Sequence, residues 1–215
     1  MPELIKIPLS FFELSVDYEP YWIVDRAPLV KSIFDALKPW NPRIDDIEIL
    51  SVGKLSEQGL TLRLPSKRIS FFFGHTSFKF TREDMTWQMD HETIEILDTA
   101  LSAFTAISGV KVTTKKAGIA LHFQPQNVSF LEILRPFLVT QFESLEATPV
   151  TTMAVVAKWP NRKVTLDGSA TLANGVFLRL ERDFQGSVTS QGIAGQLRED
   201  EEQLFRILGV EEHQG

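Results

Sequence analysis

The chain has 215 residues, 43% hydrophobic and 23% charged, with 12 Gly, 11 Pro and no Cys. That balance excludes disordered, collagen-like and fibrous classes, and the absence of Cys excludes disulfides, Cys-based zinc sites and a thiol nucleophile. The net charge of −6, from 22 Lys+Arg against 28 Asp+Glu, argues against nucleic acid or an anionic membrane as a partner.

No apolar run approaches the ~18 residues that span a bilayer. Met1 to Leu9 carries Glu3, Lys6 and two prolines where a signal peptide needs an unbroken apolar core, so a cytoplasmic location is expected.

Apolar spacing switches between a period of two and one near 3.6 along the chain. Leu14, Val16 and Tyr18 alternate with polar residues, which predicts a strand ended by Pro20. Pro28 fits a first helical turn, and Leu29, Ile33, Phe34 and Leu37 form one stripe before Pro39 and Pro42 stop the helix. Four strands follow: Ile47 with Ile49, Leu60 to Leu64, Ile69 to Phe73, and Phe78 with Phe80. Their short Gly- and Pro-containing links predict an antiparallel meander. Asp90 reads as the cap of a helix carrying Ile94, Leu97, Leu101, Phe104 and Ile107, ended by Gly109.

Lys111 to Lys116 reads as a connector, with lysines that keep the chain soluble. Ile119, Leu121 and Phe123 form a strand ended by Pro125, and Phe130, Ile133, Leu134, Phe137 and Leu138 form a helical stripe. Three strands are expected at Met153 to Ala157, Val164 to Leu172 and Val176 to Arg182. Gln185 to Gln196, with Gly186, Gly192 and Gly195, reads as a mobile loop. A last helix carries Leu197, Leu204, Phe205 and Leu208 and ends at Gly209.

The fold class expected is α+β: a mainly antiparallel sheet with helices on one side. Residues 1–110 and 111–215 repeat one order, strand, helix, strands, helix, and so read as two similar βαβββα-like halves, tightly coupled. The stretch from Phe71 to Phe123, with its aromatic hairpin, Trp87, a helix and an apolar strand, resembles a sporadically distributed family of uncharacterised bacterial proteins. Those proteins carry the same unit twice, and the resemblance implies no activity.

Chemistry-bearing residues are sparse. Among His75, His91, His122 and His213 no pair has ligand spacing, so no metal and no cofactor is expected. Ser169 follows Gly168 but lacks the second glycine of a nucleophile elbow, and no phosphate-binding glycine loop occurs. The acid runs Asp45–Asp46 and Glu199 to Glu202 read as solvated faces.

Sixteen Phe against two Tyr is the unusual feature. Phe71, Phe72 and Phe73 are consecutive, so two rings enter a core while Phe72 points to the reverse face. Phe72, Trp87, His122 and Arg179 are the candidate ligand or partner contacts. His122 alternates with Leu121 and Phe123, which places it on the open sheet face. The expected function is that of a soluble bacterial accessory or protein-interaction protein without catalytic activity, acting as a homodimer or on another protein. The alternative is a small-ligand-binding protein with a Phe-lined crevice between the halves; an enzyme using His122 and Arg179 ranks last.

Overall fold

The computed structural model describes residues 2–19, 26–50, 58–84, 91–134 and 154–212. The fold is α+β with a mainly antiparallel sheet. In chain order the elements are β1 (Glu3–Glu19), α1 (Arg26–Leu37), β2 (Ile47–Leu50), β3 (Gly59–Leu64), β4 (Ile69–Gly74), β5 (Ser77–Glu83) and α2 (His91–Ser108). Then come β6 (Lys111–Pro125), α3 (Phe130–Leu134), β7 (Val155–Trp159), β8 (Arg162–Gly168), β9 (Val176–Gln185), α4 (Ser190–Leu208) and β10 (Val210–Glu212). Two compact units divide these elements: a larger one of Phe11–Ala117 with Asp183–Gly195, and a smaller one of Met1–Ser10, Gly118–Arg182 and Gln196–Gly215.

In the larger unit β2, β3, β4 and β5 form the expected antiparallel meander, and β5 pairs with the second part of β1. Phe71 lies opposite Phe80 and Phe73 opposite Phe78, so four rings share one face. Phe104 of α2 packs onto them, its ring 5.6 Å from Phe73, 6.1 Å from Phe78 and 5.3 Å from Tyr18. Leu29, Ile33 and Leu37 of α1 are at most 1% exposed, as a four-residue stripe requires. The Tyr18 hydroxyl donates to the Gly74 carbonyl, which satisfies the polar end of a buried ring, and burial pushes its pKa well above the ordinary value.

The buried stripe of α2 is Thr93, Ile96, Leu97, Ala100 and Phe104, rotated from the expected one: Ile94, Leu101 and Ile107 are only half-buried. Glu92 pairs with Lys67 at 2.6 Å, so this turn lysine ties a hairpin to the helix. The expected cap, Asp90, lies outside the described residues. Gly109 closes the helix in the left-handed conformation, φ 67°, with its amide on the Thr105 carbonyl, a conformation that favours glycine.

In the smaller unit β7, β8 and β9 are antiparallel, β9 adjoins β6, and β10 runs parallel to the start of β1. Val164 lies opposite Leu180 and Leu166 opposite Leu178; all four are buried. Phe205 of α4 packs against Phe123 at 6.2 Å. Ser129 and Glu132 form a capping box at α3: the Glu132 carboxylate accepts the Ser129 amide at 2.7 Å, and the Ser129 hydroxyl accepts the Glu132 amide at 3.3 Å. Phe137 and Leu138 lie outside the described residues.

Four expectations need correction. β1 starts at Glu3, because its buried set shifts from Ile5 to Ser10, Phe12 and Leu14 and hides the two-residue period. Lys111 to Lys116 is strand, and Lys115 is buried, donating to the Val188 carbonyl at 2.6 Å; burial lowers its pKa, against the opposing charge of Asp98. Gln185 to Gln196 is not a loop throughout, since α4 starts at Ser190 and contains Gly192 and Gly195. Thr189 accepts the Gly192 amide at 3.1 Å, Ser190 donates to Asp98 at 2.5 Å, and Ile193 is 1% exposed. These contacts override the roughly 1 kcal/mol that a helical glycine costs. Similarly, 169–172 leaves β8 and forms a turn.

Among the described residues no helix is long and apolar enough to cross a membrane. Phe104→Ala should lower the unfolding free energy by about 3–5 kcal/mol, whereas Phe72→Ala should cost about 1 kcal/mol. Urea denaturation checks the pair, and equal losses would contradict this assignment of core and reverse face.

Candidate functional site

The row pairing of β8 and β9 sorts the smaller unit's side chains onto two faces. Thr165 opposite Arg179, Lys163 opposite Glu181 and Asp167 opposite Phe177 share the face away from the buried Val164, Leu166, Leu178 and Leu180. His122 joins that face, its ring 4.9 Å from Phe177. The structure thus brings His122 and Arg179 onto one surface, with Phe177 beside the histidine and on the same face of β9 as Arg179. The Arg179 guanidinium stands 3.6 Å from Glu181, and Lys163 3.5 Å from the same carboxylate.

His122 has polar partners that spacing in the sequence cannot show. Its Nδ1 lies 2.9 Å from the Ser169 hydroxyl and 3.0 Å from the Thr171 hydroxyl. Ser169 Oγ already accepts the amides of Thr171 at 3.2 Å and Leu172 at 3.0 Å, so both its lone pairs are occupied and its O–H is what remains to offer. That O–H has two acceptors in reach, Nδ1 and the Thr171 hydroxyl at 3.1 Å, so His122, Ser169 and Thr171 form one linked polar cluster. Burial lowers the His122 pKa. A serine whose oxygen is held by two amides is a poor nucleophile, and this one closes the turn between β8 and β9. The turn is tight: the Ser169 amide reaches the Gly175 carbonyl at 2.9 Å, and a Cβ on Gly175 would fall 2.5 Å from that of Leu172.

Beyond the turn, Gln124 reaches the Ala173 carbonyl at 3.5 Å. Lys6, Gln124, Pro125 and Gln126 line an open depression of about 420 Å³. Glu3 is held by Asn127, whose amide donates at 2.5 Å, and this lowers the pKa of the carboxylate.

On the covered face the acid run of α4 departs from the expected solvated face. Asp200 is 5% exposed and Glu201 2%, because a helical period through Ile193, Leu197, Phe205 and Leu208 places both in the inward stripe. Asp200 accepts Arg162 at 2.6 Å and Arg182 at 2.7 Å through its two oxygens. Glu201 differs: its Oε1 has no hydrogen-bond partner among the described residues. Burial first, then the charges of Glu212 and Glu202, push its carboxyl up to about 10. The arginines and both acids were legible as residues, but their pairing depends on a strand register that the sequence does not state.

Phe72 occupies the reverse face of the larger unit, as expected, and is half-buried. Its ring lies over Gly59 and Gly74, where added Cβ atoms would fall 2.9 and 2.7 Å away, with the Lys79 ammonium 5.8 Å from its centre. Trp87 lies outside the described residues. Among the described residues no group of three or more His, Asp or Glu is placed to hold a metal ion.

No family model matches the sequence, and no curated protein does. Two solved structures align over most of the chain. The regulatory subunit of aspartate kinase from Thermus flavus is 12% identical over 94% of this chain and 96% of that one, with a TM-score of 0.24. A conserved hypothetical protein from Pyrococcus furiosus is 11% identical over 93% and 91%, with a TM-score of 0.19. At these scores neither likeness carries an argument.

Two neighbouring acids should respond oppositely to neutralisation. At pH 7 Asp200→Asn should cost about 3–5 kcal/mol, since it strands two partly buried arginines. Glu201→Gln should leave stability unchanged or raise it. A carboxyl held above its unfolded value of 4.5 contributes fully below that pH and loses its contribution as the pH rises to about 10. Urea titrations at pH 5 and pH 8 check both signs. The imidazole of His122 should titrate below 6.5 by NMR; a midpoint above that value contradicts the burial argument.

Proposed function

We propose that this chain is a non-catalytic protein-interaction protein, cytoplasmic, and that its contact surface is the open face of the smaller unit together with the β7 edge. The observation that carries this reading is the exposure of large apolar side chains on β7: Val156 is 57% exposed and Trp159 42%. Val156 lies opposite Thr165, which lies opposite Arg179, so the apolar edge continues into the row holding Arg179, with Phe177 two residues along on the same face of β9. Trp159, opposite Arg162, lies on the other face of β7 at the end of this edge strand, where Arg162 stacks over its ring at 4.6 Å. An aromatic and arginine combination of this kind suits a protein contact.

Several polar groups that could do chemistry are already engaged. Ser169 and Thr171 serve the turn and His122, and Asp200 serves two arginines. Phe72 is a lesser contact than Val156 or Trp159, because glycines and Lys79 already cover part of its ring. Order along the chain supports reading residues 1–110 and 111–215 as two copies of one unit, each closed by a left-handed glycine, Gly109 and Gly209.

A second copy of the chain is the simplest occupant, since two-fold pairing is the commonest arrangement. Sedimentation velocity at micromolar concentration should show a dimer. Val156→Glu combined with Trp159→Ala should give a monomer with an unchanged circular dichroism spectrum. A wild-type monomer across that range overturns self-association. A dimer that survives the double substitution moves the contact elsewhere.

A further inference from the structure

Asn174 is the one asparagine of the chain that glycine follows: Asn41 precedes Pro42, which has no amide proton, Asn127 precedes Val128 and Asn161 precedes Arg162. The pairing matters because the next residue's amide nitrogen can attack an asparagine side chain, and glycine has no Cβ to shield that nitrogen. Asn174 is exposed and left-handed, φ 56°, a conformation that asparagine tolerates better than most residues. It is the third residue of a turn closed by the Gly175 amide, which donates to the Leu172 carbonyl at 3.0 Å.

We propose that Asn174 is a site of spontaneous deamidation, and that the hydrogen bonds of this turn, anchored on Ser169, restrain the reaction in the folded chain.

Water is the only co-reactant. The Gly175 nitrogen gives its proton to solvent and bonds to Cγ of Asn174. The Cγ–Nδ2 bond breaks, and the side-chain nitrogen leaves as ammonia with a proton taken from water. Water then opens the cyclic imide at either carbonyl. Opening at Cγ leaves an aspartate; opening at the backbone carbonyl leaves an isoaspartate, whose main chain runs through the former side chain and is longer by a carbon. Either product carries a negative charge that asparagine lacks.

In the closed turn the attacking nitrogen has its proton committed to Leu172. Leu172 is fixed in turn, its amide on Ser169 Oγ at 3.0 Å, with the Thr171 amide on the same oxygen at 3.2 Å. Ser169 Oγ lies 2.9 Å from His122 Nδ1, and the Ser169 amide reaches the Gly175 carbonyl at 2.9 Å. The Gly175 nitrogen is therefore freed when the turn opens, and the rate follows the open population wherever closing outpaces the chemistry. The lengthened isoaspartate backbone no longer fits the bond between Leu172 and Gly175, so conversion holds the turn open.

Peptide mass mapping of the full chain after incubation at pH 8, folded in buffer or unfolded in guanidinium chloride, tests this. In the unfolded chain the peptide carrying Asn174 should gain the mass of an amide turned acid faster than those carrying Asn127 and Asn161. In the folded chain the same conversion should be slower by about tenfold or more. Ser169→Ala should move the folded rate at Asn174 toward the unfolded one while leaving the unfolded rate unchanged. No preference for Asn174 in the unfolded chain overturns the site. Equal folded and unfolded rates in the wild type overturn the restraint by the turn, whether or not the variant folds. A folded Ser169→Ala with the wild-type rate overturns the role of Ser169.

Discussion

The carboxylate of Asp200, held between Arg162 and Arg182, sets the position of α4 on the strands of the smaller unit. Both arginines lie on the covered face, opposite each other, Arg162 at the start of β8 and Arg182 within β9, and each donates to a different oxygen of the same carboxylate. Burying an acid is tolerable only with such compensation. The hydrophobic stripe alone would allow α4 to roll about its axis; the ion triad does not, because its partners reach one point from two strands. With Asp200 fixed, Leu197, Phe205 and Leu208 must face the sheet, and Glu201 is carried inward, its Oε1 without a hydrogen-bond partner among the described residues. The burial of Glu201 is thus a consequence of the anchor beside it.

The larger unit depends on ring packing. Phe71, Phe73, Phe78 and Phe80 pair across a hairpin and receive Phe104 from α2. Such contacts add about 0.5–1.5 kcal/mol per pair beyond burial. These rings fill an interior and are no more than 1% exposed, so the phenylalanine excess of the composition is first a packing feature. Phe72, the ring that alternation sends the other way, meets two glycines.

Much of this architecture was legible because local signals agree with the fold. Alternating phenylalanines bounded by turns gave the meander and its pairing, and Gly109 and Gly209 marked helix ends. Other parts were hidden for identifiable reasons. A shift in the buried set disguised the start of β1. Glycines in the first turns of α4 looked like a loop because the Thr189 cap and the Ser190–Asp98 bond are needed to see a helix there. Glu199 to Glu202 looked like a solvated face, yet the helical period through Leu197 and Leu208 already pointed two of its members inward. The partners of His122 come from a turn 47 and 49 residues away, beyond any spacing rule. Of the candidate contacts, alternation correctly placed Phe72 on the reverse face and His122 opposite Leu121 and Phe123.

The functional consequence is a division between polar groups committed to structure and apolar groups left outside. His122 with Ser169, Asp200 with its arginines, and Lys115 with Val188 each hold segments together, whereas Val156 and Trp159 are exposed. Native mass spectrometry of the protein isolated from its own host tests most directly whether the chain works through protein contact. The account predicts a species containing two chains, or one chain with a second protein, and no small molecule retained. A single chain carrying a stoichiometric small molecule would contradict it.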